Sequence, residues 1–132
     1  MTPRAAFFAA ALLTLVASAP AAAVQPAEGS APARSLYLAI SGSERTWSRS
    51  VILDCPPGAE PPHPRARAAC DAITWARGDL DALRGEPHAC TMELDPVTVS
   101  ATGRGQSAPK AWRKTYANAC VMDATTGPVF RF

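Results

Sequence analysis

Four cysteines in a chain addressed for export restrict this sequence more than any other feature. Cys55, Cys70, Cys90 and Cys120 suit two disulfides, because exported chains fold where thiols oxidise and small domains use cross-links to supplement a modest core. Three pairings are open. The local one, Cys55 with Cys70 and Cys90 with Cys120, closes loops of 15 and 30 residues. Loop-closure entropy gives such bridges about 3 and about 3.6 kcal/mol. The competing use, a four-thiolate metal site, lacks a close Cys-x-x-Cys pair and runs against the oxidising compartment. No metal and no cofactor is expected.

The export address is residues 1–23, read as a signal peptide. Arg4 gives a positive start, and Ala5 to Val16 form an apolar run broken only by Thr14. That run is too short to span a bilayer, and Ala21-Ala22-Ala23 fits the small-x-small cleavage pattern. The mature chain is expected to start near Val24 and to be secreted and extracellular. Residues 24–34 are small and proline-containing and read as a flexible N-terminal lead. The formal charge of +2 falls to +1 once Arg4 is removed. The basic residues are scattered, so neither nucleic acid nor a membrane surface is an expected partner. Residues 35–132 have the length of one domain with one core.

Ser35 to Ile40 and Trp47 to Leu53 read as strands joined by a turn over Gly42 to Glu44, an antiparallel hairpin. The prolines at 56, 57, 61, 62 and 64 forbid regular structure after it. From Ala66 the pattern turns helical, with Ala69, Ile73 and Ala76 on one face, until Gly78 stops it. Asp79 to Leu83 is expected to form a second, short helix capped by Asp79. Pro96 to Thr102 alternates as a strand, Lys110 to Asn118 returns antiparallel, and Val129 to Phe132 reads as a last strand. The fold class is α+β: a five-stranded antiparallel sheet with two helices packed on one face and two disulfides.

Catalytic machinery is not legible. There is no Gly-x-Ser-x-Gly elbow, no His-Glu-x-x-His helix and no phosphate-cradling glycine loop. His63 and His88 are the two histidines, and pairing His88 with Cys90 for catalysis would need a free thiolate. An enzyme is not expected.

The segment Ala89-Cys90-Thr91-Met92-Glu93-Leu94-Asp95-Pro96 points elsewhere. It starts at a cysteine and ends at an Asp-Pro pair that biases the backbone to an extended form. Met92 is its unbranched apolar residue. A lone methionine is commonly core filler, but Glu93 and Asp95 follow it at alternating positions and argue against burial of the stretch on both sides. A stapled segment offering one apolar side chain is built to be gripped by a pocket.

These residues resemble those of a known family, the subtilisin inhibitors of the Streptomyces type. The resemblance runs from about Ser35 to Phe132. It rests on the four-cysteine spacing, Cys55-Pro56, His63-Pro64, Gly78-Asp79-Leu80, Gly85-Glu86, Cys90-Thr91-Met92, Asp95-Pro96-Val97, Asn118-Ala119-Cys120-Val121-Met122 and the terminal Val129-Phe130-Arg131-Phe132. It implies disulfides Cys55–Cys70 and Cys90–Cys120, a five-stranded sheet with two helices, and a homodimer. It implies inhibition of an extracellular serine protease, subtilisin-like or chymotrypsin-like, by a substrate-like mechanism with the reactive bond at Met92–Glu93. Ala89, Cys90, Thr91, Leu94 and Asp95 would form the protease-contact loop, supported by Pro96 and by hydrogen bonds from Asn118.

Three residues depart from the family's pattern. Glu93 follows the bond where the family commonly has a small or apolar residue, and its carboxylate would attract a basic group on a protease and repel an acidic one. Thr91 stands where proline is frequent, and Ala89 is small for an outer apolar pocket. A secreted binding module of the same fold is the alternative, its partner another protein or a cross-linking enzyme acting on Gln106, Lys110 or Lys114.

Overall fold

The computed structural model describes residues 34–104 and 111–132. The leader, the N-terminal lead to residue 33, Gln106 and Lys110 lie outside the described residues.

The sheet grows from a hairpin. β1 (Arg34–Ser41) pairs antiparallel with β2 (Ser48–Cys55), and a 3-10 turn at Ser43–Arg45 joins them. β3 (Val97–Arg104) lies against the other edge of β1 and pairs in turn with β4 (Trp112–Tyr116), giving the order β2-β1-β3-β4, all antiparallel. The alternation read from sequence sets which side is dry. Leu36, Leu38 and Ile40 of β1, Leu53 of β2 and Val97, Val99 and Ala101 of β3 are buried on one face, as the two-residue period of a strand requires. α1 (Ala66–Trp75), α2 (Ala119–Thr126) and the terminal turn Gly127–Phe130 cover that face. From α1 come buried Ala66, Ala69, Cys70 and Ile73, from α2 Met122, and from the turn Val129 and Phe130.

The sheet therefore has four strands, not five. The expected fifth strand at Val129 to Phe132 is a 3-10 turn over Gly127–Phe130. Pro128 has no N–H to give a ladder, and its fixed φ suits the first turn of a helix. Val129 and Phe130 are buried in succession, whereas a strand would turn them to opposite faces. The Val129 carbonyl is also taken, at 3.0 Å from Nε2 of the wholly buried His63. Because His63 Nδ1 accepts from the Arg65 N–H at 3.0 Å, Nε2 carries the proton and donates to Val129. This pins the proline loop to the C-terminus, with the Phe132 ring edge-on at 5.5 Å.

The second helix also lies elsewhere in the chain. Leu80–Ala82 is a single 3-10 turn, capped by the Asp79 carboxylate accepting from Asp81 N–H. The second α-helix is Ala119–Thr126, where the sequence reading ended a strand at Cys120. Gly127, at φ 58°, closes it by donating its N–H to the Asp123 carbonyl.

Both disulfides of the local pairing are present, Cys55–Cys70 and Cys90–Cys120, with Cα separations of 5.5 and 5.7 Å. The first clamps the proline loop between β2 and α1. The second ties the irregular segment 83–96 to the start of α2.

Candidate functional site

Between the turn at Leu80–Ala82 and β3 the chain runs without regular structure. Its tip is the expected loop. Met92 is 99% exposed and Leu94 78% exposed, the two most exposed large apolar side chains among the described residues. Apolar side chains held this far out forgo the hydrophobic gain of folding. Ala89, Thr91, Glu93 and Asp95 are exposed beside them, and Cys90 and Pro96 are half-buried.

The loop stays open because it is anchored from below at several points. Its entry is fixed at Gly85 and Glu86, where Glu86 N–H donates to the Ala124 carbonyl at 3.0 Å. Gly85 has φ 63°, and a Cβ there would lie 2.2 Å from the Ala124 carbonyl oxygen and 2.5 Å from that of Thr125. Only glycine fits such an approach. The disulfide holds Cys90 to α2. Beyond the tip, Asp95 N–H donates to the Ala117 carbonyl at 2.9 Å, and Pro96 passes the chain into β3.

Asn118 supplies the central support. Its side chain is buried under the tip, and Nδ2 donates to the carbonyls of Thr91 at 3.3 Å and Glu93 at 2.7 Å. These carbonyls flank Met92 on both sides. Oδ1 accepts from Val121 N–H at 2.9 Å, so the same residue is the N-cap of α2. One amide thus couples the curvature of the tip to the start of a helix.

A polar network beside the disulfide was not legible in the sequence. Arg131 donates through Nε and Nη2 to the two oxygens of Asp123, and through Nη1 to Glu86. Asp123 in turn lies 2.9 Å from His88 Nε2. The Arg131 guanidinium, and His88 after it, hold the Asp123 carboxyl below the usual carboxylate range. Asp123, helped by the Ala89 carbonyl, raises the His88 imidazole. His88 Nδ1 faces the disulfide, 3.8 Å from Cys90 Sγ and 3.7 Å from Cys120 Sγ. This is the cluster of potential metal ligands found among the described residues, but its sulfurs are joined to each other and offer no thiolate. No spacing in the chain brings residues 86, 88, 123 and 131 together.

Lys114, a candidate for cross-linking, is half-buried and paired with Asp81 at 3.0 Å. Asp81 raises its ammonium and is lowered by it in return. His63, weighed as a catalytic histidine, is spent inside the core.

The sequence profile of the family described as subtilisin inhibitor-like matches residues 32–118. The chain belongs to the subtilisin inhibitor-like family. A subtilase-type protease inhibitor of Streptomyces fradiae is 40% identical over 90% of this chain and 92% of its own length. Subtilisin inhibitor-like protein 8 of Streptomyces virginiae is 39% identical over 72% of this chain and 91% of its own. Among solved structures, Streptomyces caespitosus sermetstatin in complex with Bacillus licheniformis subtilisin is 36% identical, overlaps 76% of this chain and 98% of that chain, and gives a TM-score of 0.56. The subtilisin inhibitor-like fold thus carries, in this chain, a tethered loop with a bare methionine at its crest.

Proposed function

We propose that this chain is a secreted, substrate-like inhibitor of subtilisin-type or chymotrypsin-type serine proteases, and not an enzyme, with Met92–Glu93 as the bond it offers. The observation that carries the reading is Met92: 99% exposed, with the carbonyls before and after it held by one buried amide. The sermetstatin–subtilisin complex and the inhibitors of Streptomyces support the protease class. Two disulfides among the described residues suit an oxidising, extracellular setting.

The mechanism follows from the anchors. Met92 enters the primary specificity pocket, its carbonyl turns towards the oxyanion hole, and the catalytic serine attacks that carbonyl carbon. Cleavage leaves a Met92 acyl group on the enzyme and a new amine on Glu93. In a free peptide that amine diffuses away. Here the acyl side is held by Cys90–Cys120 and the Asn118–Thr91 hydrogen bond. The amine side is held by Asn118 on the Glu93 carbonyl and by Asp95 on Ala117. The amine remains at high effective concentration beside the ester, so religation outruns hydrolysis. Affinity comes from this preorganisation more than from contact area.

Methionine suits broad apolar pockets and cannot pair with the acid at the base of a trypsin pocket. The expected result is stoichiometric inhibition of subtilisin that is lost in Met92→Gly, and gain of trypsin inhibition in Met92→Lys. Sequencing the fragments after long incubation locates the contacted bond; a new N-terminus other than Glu93 would remove Met92 from its role. The family reading also carries a homodimer. Tyr37, 45% exposed, and half-buried Ala39 and Ile52 on the sheet face away from the helices support that reading. Light scattering at micromolar concentration tests it.

A further inference from the structure

The network around His88 has no task in the mechanism above, yet it is aimed at a chemically reactive bond. His88 Nδ1 lies 3.4 Å from the Ala89 carbonyl oxygen and, just beyond it, almost equidistant from the two sulfurs of Cys90–Cys120, at 3.8 and 3.7 Å. Its other nitrogen is held by Asp123, which is itself gripped by Arg131, and Arg131 extends to Glu86. Asp123 comes from α2, Arg131 from the C-terminal tail, and Glu86 and the Ala89 carbonyl from the loop. His88 is exposed and both cysteines are half-buried, so a small thiol reaches the bond. The other disulfide differs. Cys70 is buried and its Sγ lies by the Asp54 carbonyl at 3.3 Å, and no histidine is found at its sulfurs among the described residues.

We infer that Cys90–Cys120 is a thiol-exchange site, with His88 as the positioned acid that receives the departing sulfur. A thiolate of an external dithiol attacks one sulfur and forms a mixed disulfide, and the Cys90–Cys120 bond breaks. The electron pair leaves on the other sulfur as a thiolate, which takes the proton from His88 Nδ1. The dithiol's second thiolate then displaces the protein sulfur. The dithiol ends as a cyclic disulfide and the protein as two thiols, and bulk water reprotonates His88. Exchange accelerates as the leaving thiol becomes more acidic, and a neighbouring imidazolium lowers a thiol's pKa. The near-equal distances mean that either sulfur can depart to the same N–H. Asp123 favours the charged ring and orients it through Nε2, and Arg131 fixes Asp123. The consequence, release of the loop's base and loss of inhibition, rests on the function proposed above. The exchange itself does not.

The test uses the full mature chain and no protease. Samples are exposed to limiting dithiothreitol between about pH 5.5 and 8.5 and trapped with N-ethylmaleimide, and each cysteine pair is followed by peptide mass spectrometry. Cys90–Cys120 is expected to open about tenfold or more faster than Cys55–Cys70. His88→Gln, which keeps a hydrogen-bonding side chain without the titrating proton, is expected to slow that opening about threefold or more at the acidic end. The ratio should shrink towards one above His88's titration. A purely structural histidine would change the rate equally at every pH. Equal opening of the two bridges, or a wild-type to His88→Gln ratio of one throughout, overturns the inference. Either result leaves inhibition of subtilisin by the oxidised chain, measured in parallel, as a separate question.

Discussion

The side chain of Asn118 faces two ways, and a single substitution can separate them. Oδ1 caps α2 through Val121 N–H, while Nδ2 donates to the carbonyls on each side of Met92. Alanine would remove both functions, with a capping loss of about 1 kcal/mol added to the loosened tip. Aspartate keeps an acceptor for Val121 but turns the donor into a second acceptor facing two carbonyl oxygens. Asn118→Asp is therefore expected to keep melting within a few degrees of wild type while subtilisin cleaves Met92–Glu93 several times faster. Thermal melts and time-resolved mass spectrometry, run side by side, read the two effects. Parallel losses in both would mean that the cap, not the brace, controls the loop. At this scale the exposure of the loop was largely legible. The exposure of Met92 was foreshadowed by Glu93 and Asp95, which follow it at alternating positions, and the Asp95-Pro96 pair announced an extended exit. What the sequence hid was the support: Asp123 meets His88 across 35 positions, and Arg131 joins the network through Asp123, 8 positions before it.

Strands proved readable where their faces differ, and turns and short helices where local chemistry was weighed against alternation. β1 and β3 alternate buried and outward residues; the period marked β3, and strand composition marked β1. α2 carries Cys120, Val121 and Met122 in succession and has no clean apolar stripe, so periodicity gave no helix. Its signals were terminal: Asn118 as a cap and Gly127 as a stop. The last four residues offered the reverse lesson, since Val129 and Phe132 suggested a strand that Pro128 had already forbidden. The entry of the exposed segment is also decided by backbone sterics, at Gly85. Alanine there must adopt φ near 63° and place its Cβ on two carbonyl oxygens of α2. Gly85→Ala is expected to cost more than about 1 kcal/mol and to expose the Glu86–Ala124 hydrogen bond to exchange. Urea unfolding and amide hydrogen exchange at Glu86 measure this. Unchanged protection there would show that the disulfide alone fixes the loop's base.

Across the molecule, the C-terminus, α2 and the loop are joined by charge as well as by sulfur, and the two links respond differently to solvent. The disulfides are indifferent to pH in the folded range, but the Glu86–Arg131–Asp123–His88 network is not. His88 is raised above its ordinary 6.5, chiefly by Asp123. Its folded state binds the proton more tightly than the unfolded chain does, so its contribution is complete below about 6.5 and is lost as pH rises through the higher folded value. Asp123 is lowered below its ordinary 3.8, chiefly by Arg131. Its contribution is complete above about 3.8 and is lost as pH falls through the lower folded value. The two ranges overlap between about pH 4 and 6.5, and the network stabilises the fold most there. The melting temperature of wild type relative to His88→Gln should therefore be highest in that window and should converge on the variant's as pH rises through the raised His88 value. Asp123→Asn removes both arms, because the neutral amide no longer raises His88 and meets Arg131 without charge. Its deficit should persist to alkaline pH, where Arg131 still faces an ionised Asp123 in the wild type. Calorimetric scans of the three proteins across pH distinguish these shapes. A His88→Gln difference that stays constant from about pH 5 to 9 would mean that the imidazole packs against the bridge without titrating in contact with Asp123.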